Sequence, residues 1–359
     1  MLMPYFDNES RQAITKARNL GGKGPTVYLE DNELLRLCAI VAIDLDKQGL
    51  VDGIITDDHV PGGYYGVPLE WFRMPVPSNA RFVDTFLLLK ENIQDFKNYF
   101  SNLCEIHKRR VKFKRILETQ SFPPIEPIVP RCLLEYGLIP SETLASWLVW
   151  RKWLYDIDNR SAQETGYLFE PILATAIGGV SYSAKKSPIK RTDNPKLGRQ
   201  VDCLDGKHAY EFKMRVTIAA SGQGRFKEEL DFARDCNQSE PGYVPILLVL
   251  DPTPSTRLGD LVAEYSKYGG SAYIGNGAWK HLENKAGAVM GKFVEKYVRT
   301  PLKEVDSSYK NLPPIHITSA ESKILIQIGT QSFSVSRSGI NVDYEETYSG
   351  ADESEQIDE

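Results

Sequence analysis

The 359-residue chain lacks most of the patterns that announce membrane, redox or zinc chemistry. It has no run of 18 or more apolar residues, which excludes an ordinary transmembrane helix. Met1 to Lys16 shows no basic-then-apolar segment with a small-residue cleavage site, so no secretory signal is read. The five cysteines (Cys38, Cys104, Cys132, Cys203 and Cys236) are odd in number, widely spaced and without a CxxC pair. That excludes a disulfide framework and a zinc-finger framework alike. The histidines form no HExxH or similar ligand spacing, and His208 reads as a strand residue. Gly21-Gly22-Lys23-Gly24 lacks the spacing of a phosphate loop, and neither GxSxG nor a GxGxxG after a strand occurs. Asp57-Asp58-His59, beside Pro61-Gly62-Gly63, reads as a turn rather than a metal site. A reducing cytoplasmic location with no membrane partner is the expectation.

Hydrophobic content of 42% and charged content of 25% are those of a globular protein, and the length suits about two domains. The net charge of −5 is unevenly spread: residues 343–359 carry eight acids and no Lys or Arg, leaving 43 basic against 40 acidic residues in the body. A mildly basic body with an acidic tail is compatible with nucleic-acid binding.

Turn-rich and proline-rich stretches divide the chain. A flexible lead-in covers 1–25, and a mainly helical region suited to DNA recognition or dimerisation covers 26–122. A linker with five prolines follows at 123–140. Residues 141–305 form an α/β core, 306–342 a β segment, and 343–359 a disordered acidic tail. Within the core, Ser141 caps a helix carrying Leu144, Trp147, Leu148, Trp150, Trp153 and Leu154, whose tryptophans are expected inside. A second helix covers 162–177 and stops at Gly178-Gly179. Two short strands, 200–204 and 208–216, precede a helix at 225–235. The unbroken apolar run Val244 to Leu250 predicts a strand buried on both faces, as at the centre of an α/β sheet.

The chemistry concentrates in the hairpin that joins those two strands. Asp205-Gly206 is a favoured two-residue turn, and Gly206-Lys207 is the alternative. Either loop puts Asp202, Glu211 and Lys213 on one sheet face, because side chains alternate with period two. The first makes Asp202 and Glu211 diagonal neighbours, on the order of 7 Å apart, and the second makes them directly opposite. Paired carboxylates suit a hard divalent cation such as Mg²⁺, and Lys213 is placed to orient water or to neutralise a pentavalent phosphate.

Val201-Asp202, eight intervening residues and Glu211-Phe212-Lys213 resemble the PD-(D/E)xK nuclease signature, with Val201 in place of the proline. Gly166-Tyr167-Leu168-Phe169-Glu170 is similar to the Gly-x-x-Phe-Glu helix that supplies a further acid in many type II restriction endonucleases. The resemblance implies a restriction-endonuclease-like fold with a mixed central sheet flanked by helices. It implies Glu170, Asp202 and Glu211 as Mg²⁺ ligands and Lys213 as the catalytic lysine. Glu164, six residues earlier on another helix face, is the weaker candidate. The implied activity is Mg²⁺-dependent cleavage of double-stranded DNA to 5′-phosphate ends by a homodimer, with the cognate methyltransferase as a separate chain. Ser221–Arg225 and Val249–Pro254 further resemble the ApaLI-like restriction family, which would imply a GTGCAC-type palindrome. A repair, junction-resolving or modification-dependent nuclease, or a DNA-binding module with a degenerate site, remains as an alternative.

Two basic groups fit a DNA path. Lys185, Lys186, Lys190, Arg191, Lys196 and Arg199 lead into the hairpin, and Arg215, Ser221, Gln223 and Arg225 follow it as phosphate or base contacts. The run from His107 to Arg115, with six Lys or Arg in nine residues, is either a second phosphate-binding segment or a solvated helix face.

Overall fold

The computed structural model describes residues 7–21, 24–54, 63–76, 79–214, 223–252, 254–320 and 322–336, and only the backbone of 223–225. Asp57-Asp58-His59, Arg215, Ser221, the side chains of Gln223 and Arg225, and the tail 343–359 lie outside the described residues. The elements run α1 (Asn8–Arg18), β1 (Asn19–Leu20), β2 (Val27–Tyr28), α2 (Asp31–Asp44), α3 (Leu69–Arg73), α4 (Phe82–Asn92) and α5 (Phe96–Thr119). They continue through α6 (Ser141–Ile177), β3 (Val180–Tyr182), β4 (Val201–Asp205), β5 (His208–Lys213), α7 (Gln223–Gln238), β6 (Val244–Val249), α8 (Thr256–Lys267) and β7 (Ser271–Ile274). The last are α9 (Asn276–Val294), α10 (Thr300–Ser308), β8 (Ile315–Ala320), β9 (Lys323–Ile328) and β10 (Gln331–Ser336). The chain is mixed α/β, as its sequence pattern implies.

Two compact units form, one from Met1–Leu20, Tyr28–Lys108 and Gly166–Asp306, the other from Gly21–Val27, Arg109–Thr165 and Ser307–Glu359. The first holds a five-stranded mixed sheet of order β3-β4-β5-β6-β7. Strands β3, β4 and β5 are antiparallel, while β5, β6 and β7 are parallel. Parallel pairing requires crossovers, and α7 and α8 supply them. Strand β6 lies between two neighbours and buries Pro245 to Val249, which explains its lack of polar alternation. Leu247 and Val249 pack with Phe232, Ala233 and Cys236 of α7 and Leu261 and Tyr265 of α8. Full burial of each large apolar side chain there stabilises by about 1.5–3 kcal/mol. At the other sheet face, the Tyr210 hydroxyl meets His281 of α9 at 3.2 Å, and Tyr273 stacks on the same imidazole.

The second unit packs the meander β10-β9-β8 on the first part of α6, with Trp153, Ile324 and Val335 buried together. Trp153 is therefore core, but Trp147 is 49% exposed, against the expectation that the tryptophans lie inside. Its position on α6 points away from the stripe that Trp150, Trp153 and Ile157 present to the meander.

Three local expectations are corrected. Residues 141–177 form one helix of 37 residues rather than two, because 155–161 contain no glycine or proline to break it. Its first turn is closed by the Pro140 carbonyl, which accepts from Leu144 N–H at 2.9 Å, so Pro140 holds the capping position instead of Ser141. Most of the basic run 107–115 is turned inward, with Lys114 alone exposed to solvent. His107 and Lys108 are fully buried, and Lys108 donates to the carbonyls of Lys16 (2.6 Å) and Asn19 (3.0 Å), closing the end of α1. Arg109 and Lys112 both pair with Glu164, which gives that acid a structural partner set.

Candidate active site

Hairpin β4–β5 turns through Gly206-Lys207, with Asp205 opposite His208, Leu204 opposite Ala209 and Cys203 opposite Tyr210. Gly206 has φ +59°, the left-handed region where a side chain is strained. Of the two loops the sequence allows, this is the one that, continued by one pair, sets Asp202 directly across from Glu211, about 5 Å apart at Cβ.

Asp202 is almost completely buried, and its Oδ2 accepts from the Phe212 N–H at 2.8 Å, which fixes the carboxylate against β5. Lys213 lies one pleat beyond Glu211, and its Nζ donates to Glu211 Oε1 at 3.1 Å. It also meets Glu229 Oε1 at 3.0 Å. Glu170, near the C-terminal end of α6, is half-buried and completes the acidic group. Burial, then Glu211 and Glu170, push the Asp202 carboxyl well above the usual range. Burial, then Glu211, raise Glu170 as well. Burial alone would lower Lys213, but Glu211 and Glu229 outweigh it and raise its pKa, so its ammonium stays charged. The structure thus brings together all four predicted residues and adds Glu229, which sequence reading missed. Glu229 is on α7, outside the hairpin, and only the β5–α7–β6 crossover returns it to Lys213.

Among the described residues, no three Asp, Glu, His or Cys side chains gather closely enough to cage a metal by themselves. The donor set nevertheless fits a hard cation of low protein coordination. Magnesium is usually held through one or two carboxylates and completes its shell with water and phosphate oxygens. Asp202 and Glu211, close enough that each acts on the charge of the other, could supply those carboxylates, with Glu170 beside them. The raised proton affinity of Asp202 and Glu170 marks uncompensated negative charge in a partly desolvated place.

The basic residues before the hairpin divide into two kinds. Lys185 and Lys186 stand exposed on the 3-10 turn Ala184–Lys186, and Lys190 is exposed with its ammonium 3.1 Å from the Ser187 carbonyl. Arg191 instead pairs with Glu228 at 2.9 Å. Arg199, expected as a DNA contact, is buried; its Nε donates to Asp235 at 2.8 Å, and it also pairs with Glu228. It cross-links this loop to α7 rather than presenting charge to solvent. Gly198 permits the fold-back, since a Cβ there would lie 2.0 Å from the Ala184 carbonyl oxygen. Neutralising Lys185, Lys186 and Lys190 together should reduce the log–log salt slope of DNA binding by about 0.9 per lost phosphate contact, equally on specific and random duplexes. A wild-type slope in titrations of that variant would remove the loop from the DNA path.

A family model described as ApaLI-like restriction endonuclease matches residues 79–299. The chain is 49% identical over 306 residues to a protein of Acetobacter pasteurianus described as "Type II restriction enzyme ApaLI", covering 82% of this chain and 80% of that one. No solved structure matches. The matched range contains α6, the β4–β5 hairpin and α7.

Proposed function

We infer the reaction from one premise: this chain belongs to the ApaLI-like restriction endonuclease family. It is a type II site-specific deoxyribonuclease that cleaves double-stranded DNA. Its core is of the PD-(D/E)xK kind, with Asp202 and Glu211 as the principal ligands of Mg²⁺, Glu170 reaching it through the metal's waters, and Lys213 as the catalytic lysine. The single observation that carries this reading is the cluster at the end of the hairpin: the Asp202 carboxylate held by the Phe212 N–H at 2.8 Å, in the electrostatic reach of Glu211 and Glu170, with the Lys213 ammonium 3.1 Å from Glu211.

Bound at the carboxylates, Mg²⁺ would supply positive charge to a phosphate oxygen and make water a better nucleophile near neutral pH. The chain's own groups do the rest. Asp202, held by the Phe212 N–H, keeps one side of the carboxylate pair rigid. Lys213 presents its ammonium where charge grows on the phosphorus oxygens as water attacks in line. The new P–O bond forms as the bond to the 3′-oxygen breaks, and that oxygen leaves with a proton, giving 5′-phosphate and 3′-hydroxyl ends. A GTGCAC-type palindrome would match a two-fold dimer cutting one strand per subunit, with methylation left to a separate chain. Incubation with phage DNA and Mg²⁺ should yield discrete, reproducible fragments. A smear, or intact DNA, would overturn the assignment.

Metal dependence and pH dependence are linked through the raised carboxyls. Cleavage should cease in excess EDTA, return with Mg²⁺ or Mn²⁺, and be absent with Ca²⁺, which should still support binding. Asp202 and Glu170 have raised pKa values in the folded chain. Without metal they therefore favour folding while protonated, and that contribution is lost as pH rises from the ordinary carboxyl range through the raised values. A divalent cation must displace those protons, so its affinity grows with pH. Melting temperatures should thus rise more on adding Mg²⁺ at pH 8 than at pH 5. Equal increments at both would count against these ligands.

Glu229 acts on Lys213 as a positioning residue in this scheme. Glu229→Gln should lower the cleavage rate about 10–100-fold, keep DNA affinity, and move the alkaline limb of the rate profile downward as Lys213 loses a stabilising charge. A pH–rate profile identical to wild type would assign Glu229 to packing alone.

A further inference from the structure

The second unit exposes an apolar surface that nothing in the reaction uses. Between the 3-10 turn Val129–Leu134 and α6, the chain folds into a small lobe. Ile128, Cys132 and Ile139 pack inward on Leu144 and Leu148 of α6. The residues between them turn outward: Leu133, Leu134, Tyr136 and Leu138 are 71–84% exposed. The exposed helix face of Trp147 and Tyr155 adjoins this lobe, because Arg151 lies over the Trp147 ring and pairs with Glu135 of the lobe.

With roughly 150 Å² for a large side chain, the exposed fractions of Val129, the lobe residues and the α6 face sum to on the order of 700 Å² of apolar surface. That exceeds the largest patch of an ordinary monomer, about 300–600 Å². It matches what one partner contributes to a standard pair, about 800 Å² of which homodimers make about 65% apolar. DNA is the wrong occupant. From 116 to 155 the chain has Arg131, Arg151 and Lys152 against Glu118, Glu126, Glu135 and Glu142, and Arg151 and Lys152 are already paired with Glu135 and Asp156. Phosphate binding needs the opposite balance. The acidic tail is equally unsuited, with eight acids in 343–359. A second copy fits, because an isologous contact sets apolar against apolar and needs no charge of opposite sign.

We propose that the lobe 129–139 and the exposed face of α6 form the two-fold interface of a homodimer. The inference rests on the endonuclease reading for the use of the pair, one active site per DNA strand, and on the exposed surface for its location. The full chain should sediment as a dimer at micromolar concentration and remain so in 1 M NaCl, since apolar contact is not screened. Leu134→Glu/Leu138→Glu changes two fully outward side chains, so circular dichroism and melting should stay as in wild type, while the dimer dissociation constant rises at least 100-fold. In the unmodified chain, amide exchange over 129–139 should slow as protein concentration is raised. A double variant that stays as dimeric as wild type overturns the proposal, as does exchange there that ignores concentration. These readouts do not involve cleavage: an inactive dimer that dissociates on mutation would overturn the nuclease reading alone, and a cleaving, undisturbed dimer the interface alone.

Discussion

Lys213→Ala should cleave its target at least about 10³-fold more slowly than wild type while binding the same duplex with little loss, and Glu211→Ala should do the same. Removing one preorganised charge that acts on the transition state typically costs 10²–10³ in rate, and about 1.4 kcal/mol accompanies each factor of ten. Lys213 exceeds that range because its ammonium is also the cation that separates Glu211 from Glu229, at 3.1 and 3.0 Å. Without it, the repulsion among Glu170, Asp202, Glu211 and Glu229 acts unopposed, and protonation of the buried Asp202 becomes easier still. Lys213→Arg should not restore the rate, because a planar guanidinium cannot place its charge where a compact ammonium sits. Single-turnover cleavage, alongside gel-shift affinity in Ca²⁺, separates the two effects. Cleavage within tenfold of wild type by a folded Lys213→Ala protein would falsify the site.

Asp235→Ala should lose about 3–5 kcal/mol of stability, the range for stripping one partner from a buried ion pair. Asp235 is fully buried on α7 and accepts from Arg199 Nε at 2.8 Å and from the Thr192 N–H at 2.9 Å. Deleting its carboxylate leaves the buried Arg199 with only the half-exposed Glu228 and orphans the Thr192 amide. Asp235→Asn should lose less, because an amide oxygen can still receive Thr192. The midpoint of urea unfolding measures the difference, with the slope unchanged if only the folded state is affected. Arg199→Ala should track Asp235→Ala in stability and leave the salt slope of DNA binding as it is. A loss below about 1 kcal/mol for Asp235→Ala would mean that the loop 184–199 is held by other contacts.

Much of the site was legible because its chemistry is written over short distances. A glycine that tolerates positive φ, two flanking runs with period-two alternation, and acids and a lysine at matching parity place Asp202, Glu211 and Lys213 on one face whichever loop closes the hairpin. The buried strand β6 announced itself in the same way, by a run with no polar residue at all. Elements whose reason lies elsewhere were not visible. Strand β7 has four residues and exists because β6 offers it an edge, pairing Ile246 with Ser271 through Val249 with Ile274. Strand β3 likewise needs β4, on which Val180 and Tyr182 pair with Leu204 and Val201.

The charged residues show most clearly where reading by sequence ends. The run 107–115 and the group 185–199 look alike as strings of Lys and Arg. One is largely consumed inside the protein by helix-end carbonyls and Glu164, while the other keeps Lys185, Lys186 and Lys190 in solvent and spends Arg191 and Arg199 on Glu228 and Asp235. The sequence by itself determined the backbone punctuation, the face on which each strand residue lies, and hence the candidate triplet Asp202, Glu211 and Lys213, since these follow from steric limits acting between near neighbours. Only the tertiary structure decided which charges neutralise one another, that Glu229 reaches Lys213, and that Leu133 to Leu138 stay outside. Coulomb attraction and burial act through space, between residues that the chain brings together from anywhere along its length.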